Sequence, residues 1–170
     1  MRELHLAKSA GFCYGVRRAV ELAESAAASG TPCVLLGHII HNQNVVDRLA
    51  SLGLRTVESP EEVPEGCQVV IRSHGESRAV YEALQARGAN ILDATCPNVK
   101  RIHQIVSQAE EHGRQPVIVG TPDHPEVVAI AGWCRRPVVL SGVEDLTKWL
   151  SGAPKRRALP LTFLSQTTST

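Results

Sequence analysis

Two cysteines, Cys13 and Cys96, each stand 28 positions before a histidine, His41 and His124. Each also stands 24 positions before a glycine that ends an apolar run, Val34-Leu35-Leu36-Gly37 and Val117-Ile118-Val119-Gly120. Val45-Val46 follows His41, and Val127-Val128 follows His124. The chain of 170 residues therefore reads as two copies of one unit offset by 83 positions, about 1–82 and 83–170. Later in each copy the match loosens to Ser73-His74-Gly75 and Gln166-Thr167-Thr168. Thiolates are soft metal ligands. Imidazoles serve as ligands, bases or anion contacts. Taken alone, a cysteine is most often a small buried hydrophobe. A repeated one at the same point of two units is better explained as half of a ligand pair. Glu126, two residues after His124, has a bland reading as first-turn acid and a functional one as proton donor.

These residues need elements to position them. Apolar runs of strand length fall at 3–7, 32–37, 68–72, 89–94, 116–120, 137–140 and 161–165. Amphipathic helical stretches fall at 14–29, 44–52, 77–86, 98–112, 126–131 and 143–150. Strands alternating with helices predict an α/β fold: two tandem pseudo-symmetric units with parallel sheets. Cys13, His41, His74, Cys96, His124 and 166–168 then all fall where a strand gives way to a loop or helix. In open α/β sheets that is the ligand-binding edge. Helix N-termini there suit an anion or a thiolate.

Bulk properties exclude other classes. The formal net charge of +1 gives no basic field for nucleic acid or an anionic membrane. No apolar stretch is long enough to span a bilayer, and the N-terminus lacks a signal-peptide layout. A cytoplasmic protein is the expectation. Five cysteines without a secretory signal favour metal or catalytic use over disulfides. Cys33, Cys67 and Cys134 lie outside the repeated frame and read as structural. His5, His38, His103 and His112 read as surface or satisfied rings. Zinc is the rival metal, but the chain has no CxxC or HxxxH clustering.

The motifs carry a resemblance. Gly11-Phe12-Cys13-Tyr14-Gly15-Val16, His41-Asn42, Ser73-His74-Gly75, Asp93-Ala94-Thr95-Cys96-Pro97, His124-Pro125-Glu126 and Gln166-Thr167-Thr168 occur in one order. In that order they are similar to those of the IspH/LytB family of 4-hydroxy-3-methylbut-2-enyl diphosphate reductases. The resemblance implies a trefoil of three α/β domains around a 4Fe-4S cluster, each domain giving one cysteine. It implies Cys13 and Cys96 as cluster ligands, and His41, His74 and His124 as contacts to a diphosphate substrate. Glu126 is implied as proton donor, and Thr167 as the residue beside the substrate hydroxyl. The reaction it implies is reductive loss of that hydroxyl in the non-mevalonate isoprenoid pathway, with electrons from ferredoxin or flavodoxin. The third cysteine would lie beyond residue 170. The chain is thus expected to lack the third unit and to be inactive alone. A non-catalytic diphosphate-binding fragment and a zinc-dependent hydrolase are the alternatives.

Overall fold

The computed structural model describes residues 3–5, 7, 8 and 10–168. Two parallel sheets lie side by side in the chain. The first is built from β1 (Cys33–Leu36), β2 (Arg55–Val57), β3 (Gln68–Ile71) and β4 (Asn90–Asp93), in the order β2-β1-β3-β4. The second is built from β5 (Gln115–Val119), β6 (Val138–Leu140) and β7 (Leu161–Ser165), in the order β6-β5-β7. The first strand of each sheet sits between the next two, so the sequence repeat is also a repeat of topology. Register is regular: Leu36 stands beside Val57 and Ile71, and Val119 beside Leu140 and Ser165.

Among the described residues six α-helices cover these sheets: α1 (Tyr14–Ala28), α2 (Gln43–Ser51), α3 (Arg78–Ala86), α4 (Pro97–Glu111), α5 (Pro125–Ala131) and α6 (Val143–Ser151). Period two along β1 explains the two layers. Leu35 joins Ala19, Ala23, Ile39, Leu49 and Val70 on one face. Val34 and Leu36 join Val57, Val63, Val69, Ile71 and Leu84 on the other. Helix α1 buries Gly15, Ala19, Ala23 and Ala26, a stripe at helical spacing without bulk. That stripe lets α1 lie close to the sheet. In the second sheet Ile118 and Leu164 pack with Val106, Val127 and Ile130 from α4 and α5. Val119 and Phe163 stay exposed, and among the described residues no strand pairs with the outer edge of β7.

Three features depart from the sequence expectation. The strand at 3–7 does not form: Glu3, Leu4, His5 and Ala7 lie outside any strand, and Leu6 is outside the described residues. A strand exists only through a partner, and neither sheet takes this segment up; Leu4 is 91% exposed. Strand β2 forms although no apolar run marked it, because an edge strand of three residues needs only Val57 inside. The first sheet also takes in β4, so it extends beyond residue 82, where the sequence repeat divides.

Candidate functional site

The carboxyl ends of the strands bring His41, His74, Cys96, His124 and Thr167 forward; Cys13, expected at such an end, caps α1 with no strand before it among the described residues. After β1 the chain turns at Gly37, whose φ of +67° is unfavourable for other residues. It reaches His41 and then caps α2 with the Asn42 side chain, which accepts from Val45 N at 3.2 Å. After β3, Ser73 N donates to Ile39 O at 3.2 Å, tying the His74 loop to the His41 loop. After β4, Cys96 N donates to Ser73 O at 2.9 Å. After β5, His124 caps α5: its Nδ1 accepts from Glu126 N at 3.1 Å. After β7, Thr167 meets Glu126.

Three imidazoles from two sheets form one cluster. Ring centroids lie 4.9 Å apart for His41–His74, 5.5 Å for His74–His124 and 6.2 Å for His41–His124. One nitrogen from each ring lies within 4.8 Å of the others. Because Nδ1 of His124 accepts a backbone N–H, its neutral ring carries the proton on Nε2 and donates from there. Burial pushes His74 down to about 4, and the neighbouring His41, His124 and Arg72 push the same way. Its Nδ1 is buried without a hydrogen-bond partner. Arg72 itself is paired with Glu76 at 2.6 Å, and burial raises the Glu76 carboxyl against the pull of that arginine. Three converging imidazoles, with a donor on His124 and the Arg72 guanidinium nearby, suit an anion, whose charge would offset the mutual repulsion of the rings once protonated.

Glu126 and Thr167 form a second, tighter pair. Glu126 is 1% exposed at the start of α5. Thr167 N donates to its Oε1 at 2.6 Å and Thr167 Oγ1 donates to its Oε2 at 2.8 Å. The carboxylate thus has two donors, while Thr167 keeps an exposed face. Gln166 braces the pair. Its Oε1 accepts from Thr121 N at 3.1 Å, and its Nε2 donates to Thr168 Oγ1 at 2.7 Å.

Cys13 and Cys96 are the N-caps of α1 and α4, two 15-residue helices, and neither side chain caps its own helix. Both thiols therefore remain available at a positive helix end. The two caps adjoin. A Cβ on Gly15 would stand 2.6 Å from Cys96 Sγ. Arg18 donates to Thr95 O and Asp93 O, each at 3.3 Å, which holds α1 against the Cys96 loop. Two adjacent soft donors fit an iron–sulfur cluster. Among the described residues no third thiol joins them. Cys33 opens β1 and Cys67 precedes β3, at the opposite end of the strands. Burial raises the Cys33 thiol, and burial with Glu110 nearby pushes Cys134 up to about 11.

His38 and His5 are exposed, and His112 Nδ1 bonds Gln108 O at 2.6 Å. His103 departs from the surface or satisfied reading. It is 4% exposed, its Nε2 has no partner, and it stacks on Trp133 at 5.1 Å. Its helical spacing with Val99 and Val106 on the apolar face of α4 was the available signal. Burial pushes His103 down to about 4, as it does His74. Both rings are neutral when folded and charge when unfolded. Their stabilising effect is therefore complete above about 6.5 and is lost as pH falls from there toward 4. Melting temperatures at pH 7 and pH 5 should differ clearly in the wild type and less in His103→Phe. Equal slopes in the two proteins would remove His103 from this account.

Known proteins are similar to this chain in sequence and in fold. A 4-hydroxy-3-methylbut-2-enyl diphosphate reductase of Aquifex aeolicus is 42% identical over 151 residues, 86% of this chain and 52% of its own. One of Caldanaerobacter subterraneus subsp. tengcongensis is 41% identical over 148 residues, 84% of this chain and 51% of its own. A solved structure of (E)-4-hydroxy-3-methyl-but-2-enyl diphosphate reductase, described as the terminal enzyme of the non-mevalonate pathway, superposes with a TM-score of 0.81. Its identity is 39%, covering 96% of this chain and 58% of that one. The Plasmodium falciparum reductase structure superposes with a TM-score of 0.87 at 27% identity, covering 95% and 50%. The chain spans about half the length of the curated relatives it matches. The LytB protein family matches over residues 4–170, and with both cysteine caps, the histidine cluster and the Glu126–Thr167 pair inside that span, this chain belongs to the LytB family.

Proposed function

We propose that this chain supplies two of the three units of an iron–sulfur reductase that converts 4-hydroxy-3-methylbut-2-enyl diphosphate to isopentenyl and dimethylallyl diphosphate. The observation that carries this is the convergence of His41, His74 and His124 beside the buried Glu126–Thr167 pair. The relatives' name supplies the substrate. The three imidazoles bind diphosphate oxygens, with His124 donating from Nε2. Thr167, held on Glu126, orients the allylic hydroxyl. Once protonated, Glu126 gives its proton to Thr167 Oγ1 as the Thr167 hydroxyl passes its own to the substrate hydroxyl, which leaves as water. Overall, two electrons and two protons replace the C–O bond with C–H. Cys13, Cys96 and a third cysteine outside this chain would hold a 4Fe-4S cluster, which supplies those electrons from ferredoxin or flavodoxin. The unpaired edge of β7 and exposed Phe163 are where the remaining unit of a trefoil would add. No described helix is long and apolar enough to cross a membrane, and we assign the protein to the cytoplasm.

A zinc hydrolase is the weaker reading, because the Nδ1 lone pair of His124 already accepts from Glu126 N and Nε2 then bears a proton. The alternative of a non-catalytic diphosphate-binding fragment applies to the chain on its own. Calorimetry and anaerobic reconstitution test the reading together. The 170-residue chain should bind inorganic pyrophosphate, with affinity falling about tenfold in His124→Phe on loss of a charge-assisted contact. It should show little reductase turnover. Joined to the C-terminal half of a relative, it should turn over. Stoichiometric zinc in place of iron would sink the reading.

A further inference from the structure

We infer that Trp133 and Gly132 are positioning residues that set the separation of His74 and His124 and so make one binding site from two sheets. His41 and His74 need no such help. Both follow strands of the first sheet, and the Ser73 N to Ile39 O bond ties their loops. His124 follows the second sheet and is carried on the N-terminal end of α5. That helix has seven residues, and at 1.5 Å each it spans about 10 Å. Its far end is locked to the chain just beyond His74. Trp133 Nε1 donates to Glu76 O at 2.9 Å across 57 positions. Arg78 N donates to Gly132 O at 3.4 Å. The backbones meet so closely that a Cβ on Gly132 would stand 2.2 Å from Ser77 Cβ. Helix α5 thus acts as a short rod, with His124 at one end and the anchor beside His74 at the other.

The indole is itself held. It stacks on His103 at 5.1 Å and 19°, and the Arg78 guanidinium lies 5.3 Å from its ring centroid. His103 in turn supports the residue after His74. A Cβ on Gly75 would stand 2.7 Å from His103 Cε1. The same indole therefore reaches the His74 loop twice, once by its N–H and once through His103. Only the first contact depends on the indole nitrogen.

Two variants separate positioning from folding. Trp133→Phe keeps an aromatic ring for His103 and Arg78 but removes the donor to Glu76 O. Gly132→Ala keeps the donor and wedges the seam apart. The readout is the pair of nuclear Overhauser cross-peaks between histidine ring protons in the chain, without any ligand. The expected result is loss or strong weakening of the His74–His124 cross-peak in both variants, with the His41–His74 cross-peak retained. Trp149→Phe, in α6, should change neither. Retention of both cross-peaks in the two variants overturns the proposal. So does loss of both, which would mark a general loosening, and so does absence of the His74–His124 cross-peak in the wild type. The functional consequence rests on the diphosphate reading. Pyrophosphate affinity should fall about tenfold with the lost cross-peak, the size of one displaced hydrogen bond. A lost cross-peak with unchanged affinity would overturn the diphosphate reading and leave the positioning role standing.

Discussion

Glu126→Gln is expected to leave the fold in place and to cut reductase turnover by about two to four orders of magnitude, the usual range for a lost acid–base group. The measurement is formation of isopentenyl and dimethylallyl diphosphate by the chain joined to the C-terminal half of a relative. The fold should survive because the amide replaces the carboxylate at equal volume. Its oxygen can still accept from Thr167 N, now 2.6 Å from Oε1. The Thr167 hydroxyl, which donates to Oε2 at 2.8 Å, can rotate and accept from the new amide instead. The reaction should not survive, because an amide holds no transferable proton at neutral pH. Glu126→Ala would be a poorer probe, since it empties a site only 1% exposed and orphans Thr167 N. Unchanged turnover in Glu126→Gln would remove this carboxyl from proton delivery.

In the chain joined to the C-terminal half of a relative, Cys96→Ser is expected to abolish the visible absorbance that anaerobic iron and sulfide produce, and Cys13→Ser to do the same. A serine hydroxyl stays protonated at neutral pH and is a hard donor, so it makes a poor iron ligand where a thiolate makes a good one. The folding cost should be small. Neither sulfur makes a side-chain cap, and Cys96 is held through its backbone N–H on Ser73 O at 2.9 Å. Far-UV circular dichroism should therefore be unchanged while the colour is lost. Gly15 would allow the two cysteines to act together. The absence of a Cβ there lets Cys96 Sγ approach α1 just after its Cys13 cap. Full absorbance in the double variant would overturn the assignment of both thiols.

The candidate residues were legible in the sequence because they recur at a fixed offset, and most of them, though not Cys13, follow strands. Cys13, His41, Cys96 and His124 could be aligned without knowing how the sheets pack. The strand order was legible only as parallel; the shared 2-1-3 pattern of β1–β3 and β5–β7 depends on crossovers that no local pattern encodes. Glu126 was legible as a candidate, but its pairing with Thr167 joins residues 41 apart, on α5 and after β7. His103 was misjudged because a histidine on an apolar stripe looks like a substitution for a polar position. Its burial depends on Trp133, which follows a helix end with no motif around it. The segment 3–7 has the alternation of a strand, yet alternation marks only which face would be buried, and pairing decides whether the strand forms.

Strand β4 has a consequence for dividing this chain. It is hydrogen-bonded into the first sheet beside β3, yet the loop that leaves it carries Cys96 and opens the second unit. Arg18 of α1 reaches that same loop at Asp93 and Thr95. A cut at residue 82 would therefore split α3, strip a strand from one sheet and leave α1 without its dock. The two copies repeat in sequence, but they share a strand as a common wall. Such units can be multiplied along a chain more readily than they can be excised from it.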